Sequence, residues 1–323
     1  MKKIADVRHN RGSFVDRVDL RSLPGGGRLA VLPNPHAPTV TVVGMLQAGP
    51  AVATDGRFSV PGLTASMLNR GVLGQNRLQL ARELEDHGLQ LDVGSSSAAP
   101  ASISFSLQGL AEELPRLIRL LAAVLRRPTF PADELEKVRQ QILGVLRHEN
   151  EDTSMRAYAE LTRQMYVPGH PHRRRSIAER EEEVRRLTRE DLEIFHHEVY
   201  GAATLVCVIV GQVEADDVFS LVAEAFDDWG PGRQALPPWP TPLVSEIQGT
   251  RIHIPDRPNL DVFLGHPGRL LLGDSDYPAA MLANSCLGQS TLTSRLGVAV
   301  RDKAGLTYGI NSGFTGRLQL PGP

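Results

Sequence analysis

The spacing of apolar positions along this chain changes several times, and each change predicts an element. Thr39-Val40-Thr41-Val42-Val43-Gly44-Met45-Leu46 is rich in β-branched residues and predicts a strand with apolar groups on both faces. Ser102 to Gln108 alternates, with Ile103, Phe105 and Leu107 on one face and serines on the other, so its sheet has one dry and one wet side. Leu114, Leu117, Ile118, Leu121, Val124 and Leu125 then recur at helical spacing. After a break at Pro128 and Pro131, so do Leu135, Val138, Ile142 and Val145. These two helices are expected to cover the dry side. Thr188-Arg189-Glu190-Asp191 has the form of a capping box, opening a helix whose buried stripe is Leu192, Phe195 and Val199. Thr204 to Val210 predicts an apolar strand, and Val218, Leu221, Val222, Ala225 and Phe226 a further amphipathic helix.

Residues 1–229 therefore read as an α+β domain, a mostly antiparallel sheet covered by helices. The stretch from Gly230 to Pro242 holds five prolines, which stiffen the chain and keep it out of helices and central strands, so 230–243 is expected to be an interdomain linker. A second α+β domain is expected over 244–323, with strands near Ile252 and at Leu260 to Leu264 and a helix from Tyr277 to Cys286. It repeats the first. Leu84-Glu85-Asp86-His87-Gly88-Leu89-Gln90-Leu91 aligns with Arg301-Asp302-Lys303-Ala304-Gly305-Leu306-Thr307-Tyr308, and in each copy a helix should stop at the glycine with a strand following. The second copy stops short of the helices that close the first, so it is expected to be truncated.

Composition narrows the function classes. The chain has 323 residues, 41% hydrophobic and 22% charged, enough for two cores. Its net charge of −2 arises from mixed acidic and basic residues, so no long-range field favours nucleic acid or an anionic membrane. The basic run Arg173-Arg174-Arg175 reads as a solvated loop. Two cysteines, Cys207 and Cys286, are too few for a disulfide framework and read as free thiols. The first six residues have no apolar stretch behind them, and the longest apolar run, Leu205 to Val210, cannot span a bilayer. As it stands the chain reads as cytoplasmic, or periplasmic if a signal peptide has been removed. Gly25-Gly26-Gly27 precedes a strand and reads as a turn, not a phosphate cradle.

The order of strands and helices, Gly71, Gly88, Pro-Gly-His-Pro at Pro168 to Pro171 and Ser294-Arg295-Leu296 followed by Arg301 and Gly305-Leu306-Thr307-Tyr308 resembles the insulinase and pitrilysin family of zinc peptidases, which includes the mitochondrial processing peptidases. The resemblance implies duplicated α+β domains facing each other across a chamber, and pairs of one catalytic and one inactive subunit. Active members carry H-x-x-E-H on a helix, where two histidines four apart reach one zinc and the glutamate acts as base. Counting back from Gly71 places those five positions at Gly62, Leu63, Thr64, Ala65 and Ser66. The third ligand, a glutamate on the long helix, falls at Gly144 or Val145. No imidazole or carboxylate remains, so this chain should hold no metal.

Arg301 and Tyr308 match the pair that the family's non-zinc half sends across the chamber, and the duplicated positions in the first copy are Leu84 and Leu91. By the resemblance, Tyr308 would donate to the substrate carbonyl or developing oxyanion at a partner's zinc, and Arg301 would hold a peptide carbonyl. The residues alone equally allow Arg301 to sit at a helix end and Tyr308 to pack in a strand. His170, His172, His148, His196 and His197 with Glu149 have no workable metal-ligand spacing and read as structural. The resemblance thus implies a non-catalytic partner of an H-x-x-E-H-bearing subunit or fused domain. It would bind an extended peptide, with zinc only on the partner, and a homodimer is the other arrangement. An assembly protein that keeps the fold without proteolysis is the alternative.

Overall fold

The structure, a computed structural model, describes residues 14–53, 56–95, 99–239 and 246–315 together with 318, 320 and 322. The N-terminal residues read above for targeting signals, and linker positions 240–243, lie outside them. A six-stranded sheet organises the chain up to residue 229. Its strands are β1 (Asp19–Ser22), β2 (Arg28–Pro33), β3 (Thr39–Leu46), β6 (Gln90–Ser95), β7 (Ile103–Leu110) and β8 (Val206–Gly211), in the order β1-β2-β8-β3-β7-β6. Only the β2–β8 pair is parallel. A two-residue pair, β4 (Gly71–Val72) with β5 (Gln75–Asn76), stands apart.

The alternation in the sequence becomes the two faces of this sheet. Leu29, Val31, Val40, Val42, Ile103, Phe105, Leu107, Cys207 and Ile209 are buried on one side. On the other, Thr41, Val43, Ser104, Ser106 and Val206 keep contact with water. Gly44 is fixed by packing. It pairs with Phe105, and a Cβ there would lie 2.3 Å from Cζ of that ring and 2.2 Å from the Val206 carbonyl oxygen. Leu23 N donates to Gly27 O at 2.7 Å, and Gly26 takes φ of +94°, so the three glycines form the β1–β2 turn.

The dry face is covered by α3 (Leu114–Arg126) and α8 (Ala215–Phe226), through Leu117, Ile118, Leu121, Val218, Val222 and Phe226. The expectation that the Leu135 helix shares this task is wrong. That helix, α4 (Ala132–Glu151), lies outside and packs its N-terminal half on α1 (Val60–Met67) and α7 (Arg189–Val199), and its C-terminal half on α6 (Ile177–Arg186). Its stripe shifts at Gly144 from Leu135 and Val138 to Leu143 and Leu146, leaving Val145 60% exposed. The capping box is present: Thr188 N donates to Asp191 Oδ2 at 2.8 Å and Asp191 N to Thr188 Oγ1 at 3.3 Å. The remaining helices here are α2 (Arg77–Asp86) and α5 (Thr153–Met165).

Arg173, Arg174 and Arg175 are not a solvated run. Each is half-buried and occupied. Arg173 donates to the carbonyls of Arg163 and Tyr166, Arg174 reaches Glu149 Oε1 at 2.8 Å, and Arg175 bonds Ser59 Oγ and pairs with Glu183 at 2.5 Å. The loop is held between helices that supply carbonyls and carboxylates, so these guanidiniums exchange water for protein acceptors. The proline-rich stretch is no free spacer either. Gln47 Nε2 donates to the carbonyls of Arg233 and Gln234, and Trp239 Nε1 to Ala51 O at 3.1 Å, strapping 231–239 along the sheet domain.

Among the described residues of 246–315 there is α9 (Tyr277–Asn284), followed by π-wound turns at Ser285–Gln289 and Gly297–Lys303, and no strand. The strands expected near Ile252, at Leu260–Leu264 and after Gly305 are therefore absent here. Extended, apolar sequence becomes a strand only where a neighbour pairs with its amides, and none does so here. Leu260, Val262 and Leu264 remain exposed, while Phe263 packs its ring on Tyr158 at 5.5 Å between centroids.

Glu149 tests how the outer helices are joined. It is 4% exposed and accepts from both Arg174 and Arg180. Burial works to raise its carboxyl pKa, but Arg180 and Arg174 outweigh it and hold the group below the usual carboxylate range. Glu149→Gln is expected to cost about 3–5 kcal/mol in denaturant titrations at pH 7. A depressed folded-state value means this contribution is present above the unfolded carboxyl pKa and is lost as pH falls through the folded one, so wild type and variant should converge in acid.

Candidate functional site

The helix that would carry a zinc motif is α1, and its surroundings show what each position can do. Pro61 near its start and a run of small side chains let it pack closely on the sheet edge and on α4 and α7. Ser59 N and Oγ donate to Glu183 at 2.9 and 2.7 Å, and Arg57 pairs with Asp191 at 2.6 Å, so α6 and α7 fix the point where α1 begins. On the helix, Ser66 Oγ donates to Gly62 O at 2.9 Å and Thr64 Oγ1 to Val60 O at 2.8 Å, returning both hydroxyls to the backbone. Ala65 is buried, and a Cβ on Gly62 would meet only Ser95 Oγ at 4.0 Å. On α4, Gly144 faces open space.

These residues do not fit a zinc ion. Gly62, Ala65 and Gly144 have no donor atom, and the Ser66 hydroxyl is committed to a carbonyl. Among the described residues no group of three His, Cys, Asp or Glu side chains is placed to share a metal. The histidines weighed as ligands have other occupations. His170 stacks on Tyr166 at 4.2 Å and its Nδ1 accepts from His172 N at 3.1 Å. His196 stacks on Tyr200 at 4.5 Å and hydrogen-bonds Leu125 O at 2.8 Å. His148 and His197 are exposed.

What the chain does present beside α1 is a sheet edge. β6 ends the sheet on that side, α1 packs against it, and its outer edge has no partner strand among the described residues. Arg301 lies in the π-wound turn Gly297–Lys303, half-buried, and its side chain has no ion-pair or hydrogen-bond partner among the described residues. Tyr308 is 96% exposed and belongs to no strand, so it does not pack as a strand residue would. In the first copy the matching Leu84 and Leu91 pack into the core.

The two copies share their helix stop. Gly88 has φ of +61° and Gly305 of +63°. Leu89 N closes onto Leu84 O at 2.8 Å, whereas Leu306 N closes onto Val300 O at 3.1 Å, one residue further back than the equivalent Arg301. The π winding accounts for that extra residue.

Residues 186–319 match the family described as the peptidase M16 inactive domain. The structure is similar to a crystal structure of a peptidase M16 inactive domain from Pseudomonas fluorescens, with TM-score 0.79 and 25% identity over 94% of this chain and 72% of that one. Among curated relatives, a non-peptidase homolog, YmxG, of Helicobacter pylori is 22% identical over 82% of this chain and 59% of its own length. A probable mitochondrial-processing peptidase subunit beta of Schizosaccharomyces pombe is 21% identical over 87% and 61%. The chain thus spans about three-fifths of the length of these two. The chain is similar in sequence and fold to the M16 peptidases, the insulinase and processing-peptidase type, and over residues 186–319 to their inactive domain. The match at residue 186 starts just before α7, so it includes β8, which lies inside the first sheet.

The sequence singled out Gly62, Ala65, Ser66 and Gly144 by what they lack, and the structure places the first three on α1 and Gly144 on the helix packed against it. Gly144 interrupts an exposed helix face with no neighbour to meet a side chain, so Gly144→Ala is expected to raise stability by about 0.5–1 kcal/mol in denaturant titrations. His170 generates a pH dependence. Burial first, and His172 second, lower its pKa to about 4. The folded state thus excludes a proton that the unfolded chain takes up near pH 6.5, so stability is full above that value and falls as pH drops toward 4. His170→Phe should flatten the thermal-midpoint profile across that window.

Proposed function

We propose that this chain is the non-catalytic, peptide-binding half of a zinc-dependent endopeptidase of the insulinase and processing-peptidase type. Its partner carries H-x-x-E-H, as a homologous subunit or fused domain, and holds the zinc. The observation that carries this reading is the contrast on α1 and in the turn before Gly305. The first offers no imidazole or carboxylate, while in the second Arg301 has no ion-pair or hydrogen-bond partner among the described residues, and Tyr308, just beyond that glycine, stands in solvent.

An extended peptide would add to the outer edge of β6, which has no partner strand among the described residues and where backbone hydrogen bonds give affinity without demanding a particular sequence. The Tyr308 hydroxyl would donate to the substrate carbonyl oxygen as negative charge builds there, and the Arg301 guanidinium would hold a neighbouring peptide carbonyl. Such donors contribute most once partner and substrate exclude water. The processing-peptidase relative is named as a subunit, which supports a paired arrangement.

Mixing the full chain with the proposed H-x-x-E-H-bearing partner should give peptide cleavage well above either protein alone. Arg301→Ala combined with Tyr308→Phe is expected to lower kcat/KM of the mixture about 100-fold, the scale for losing an oxyanion donor, with the complex still formed in size-exclusion chromatography. Unchanged cleavage by that variant sinks the catalytic-support role. A stable complex with a partner lacking an H-x-x-E-H helix would instead favour an assembly protein.

A further inference from the structure

Between the start of α1 and the loop before α6 lies a cavity of about 420 Å³ that the degenerate zinc motif does not use. Arg163, Arg173, Arg174, Arg175, Ser176 and Glu179 line its polar side, and Phe58, Pro50, Pro168 and Pro171 its apolar side. Its volume is that of a small-ligand site. The aromatic wall is held in place, because the Arg175 guanidinium lies 5.1 Å over the Phe58 ring.

The charges around this cavity do not cancel. Arg163 pairs with Glu160, Arg175 with Glu183, and Arg174 and Arg180 share Glu149. Glu179 is the carboxylate left over. It is spent on the α6 capping box, accepting from Ser176 N at 2.8 Å and Ser176 Oγ at 2.7 Å. Five guanidiniums thus face four carboxylates, which leaves one positive charge in excess. The shared Glu149 places that excess between Arg174 and Arg180, while Arg173 has no ion-pair partner among the described residues and acts on Glu179 only through the field that helps lower its pKa.

The hydrogen bonds of Arg173 show how it would act. Nη1 donates to Arg163 O at 2.5 Å and Tyr166 O at 2.7 Å, which uses both of its hydrogens and fixes the guanidinium plane. The N–H groups on Nε and Nη2 make no bond among the described residues. That side of the guanidinium is a fork matching the two oxygens of a carboxylate. We propose that this cavity binds a carboxylate monoanion with an apolar body, its oxygens on Arg173 and its body against Phe58 and the prolines. A single excess charge suits a carboxylate rather than a doubly charged phosphate. The source is either a small free acid or the C-terminus of a peptide, and this site does not depend on the peptide-edge reading above.

Calorimetric titration of the full chain separates these cases, with benzoate, benzamide, inorganic phosphate, N-acetyl-Phe-Leu and N-acetyl-Phe-Leu amide as probes. Benzoate is expected to bind at least about tenfold more tightly than benzamide or phosphate. Tighter binding of the free-acid dipeptide than of benzoate assigns the site to chain ends, and the reverse to small acids. Arg173→Gln should lose at least about tenfold in benzoate affinity. That change also cuts two backbone tethers, so Phe58→Glu is made in parallel: it keeps the tethers, supplies an internal carboxylate and should block binding. Arg185→Gln, on the outer face of α6, should leave affinity unchanged. No binding of benzoate at 10 mM (about the weakest affinity of interest), equal binding of benzamide or phosphate, or retained binding in either folded cavity variant overturns the proposal.

Discussion

The first domain depends on one ladder, that of β8 between β2 and β3. β8 is parallel to β2 from Arg28–Val206 to Pro33–Gly211 and antiparallel to β3 from Val40–Gly211 to Met45–Val206. Without it the β1–β2 hairpin has no attachment to the rest of the sheet. It also sets how close β3 and β7 can come, because the Val206 carbonyl and the Phe105 ring meet over Gly44, where no side chain fits. The dry face then offers α3 and α8 one continuous apolar floor, and the remaining helices form an outer layer held by α1, α4, α6 and α7.

Elements whose signal is local were legible in the sequence. Ile103, Phe105 and Leu107 alternate because one face is buried, and Thr188 with Asp191 closes the start of α7 through atoms three residues apart. The position of β8 was not legible, since its partners lie far away in sequence and an apolar run does not name its neighbours. The same limit explains Leu260–Leu264. Its alternation is compatible with a strand, but compatibility supplies no partner. Val145 failed for another reason: Gly144 carries no side chain to hold the stripe, and Leu143 and Leu146 take over the packing.

For the site, absence was easier to read than presence. Gly62, Ala65 and Gly144 lack ligand atoms in any conformation, so the motif is empty wherever the helix lies. The arginine run reads as a solvated loop in the sequence because its acceptors, the carbonyls of Arg163 and Tyr166 and the carboxylates of Glu149 and Glu183, come from three separate places in the chain. Nothing local distinguishes such a cluster from a solvated basic loop. Arg301 and Tyr308 are singled out by the family resemblance, and the repeat accounts for the exposure of Tyr308: among the described residues the second copy keeps the helix stop at Gly305 without the strand pairing that buries Leu91 in the first.

The late arrival of β8 has a consequence for how the chain is made. Residues 34 to 205 must leave the ribosome before the strand that joins the two parts of the sheet exists, and until then β2 and β3 each expose an unpaired edge. Such edges are templates for wrong pairing. The nascent chain therefore carries these two unpaired edges through the synthesis of more than half of its length, until its own backbone supplies the strand that covers both.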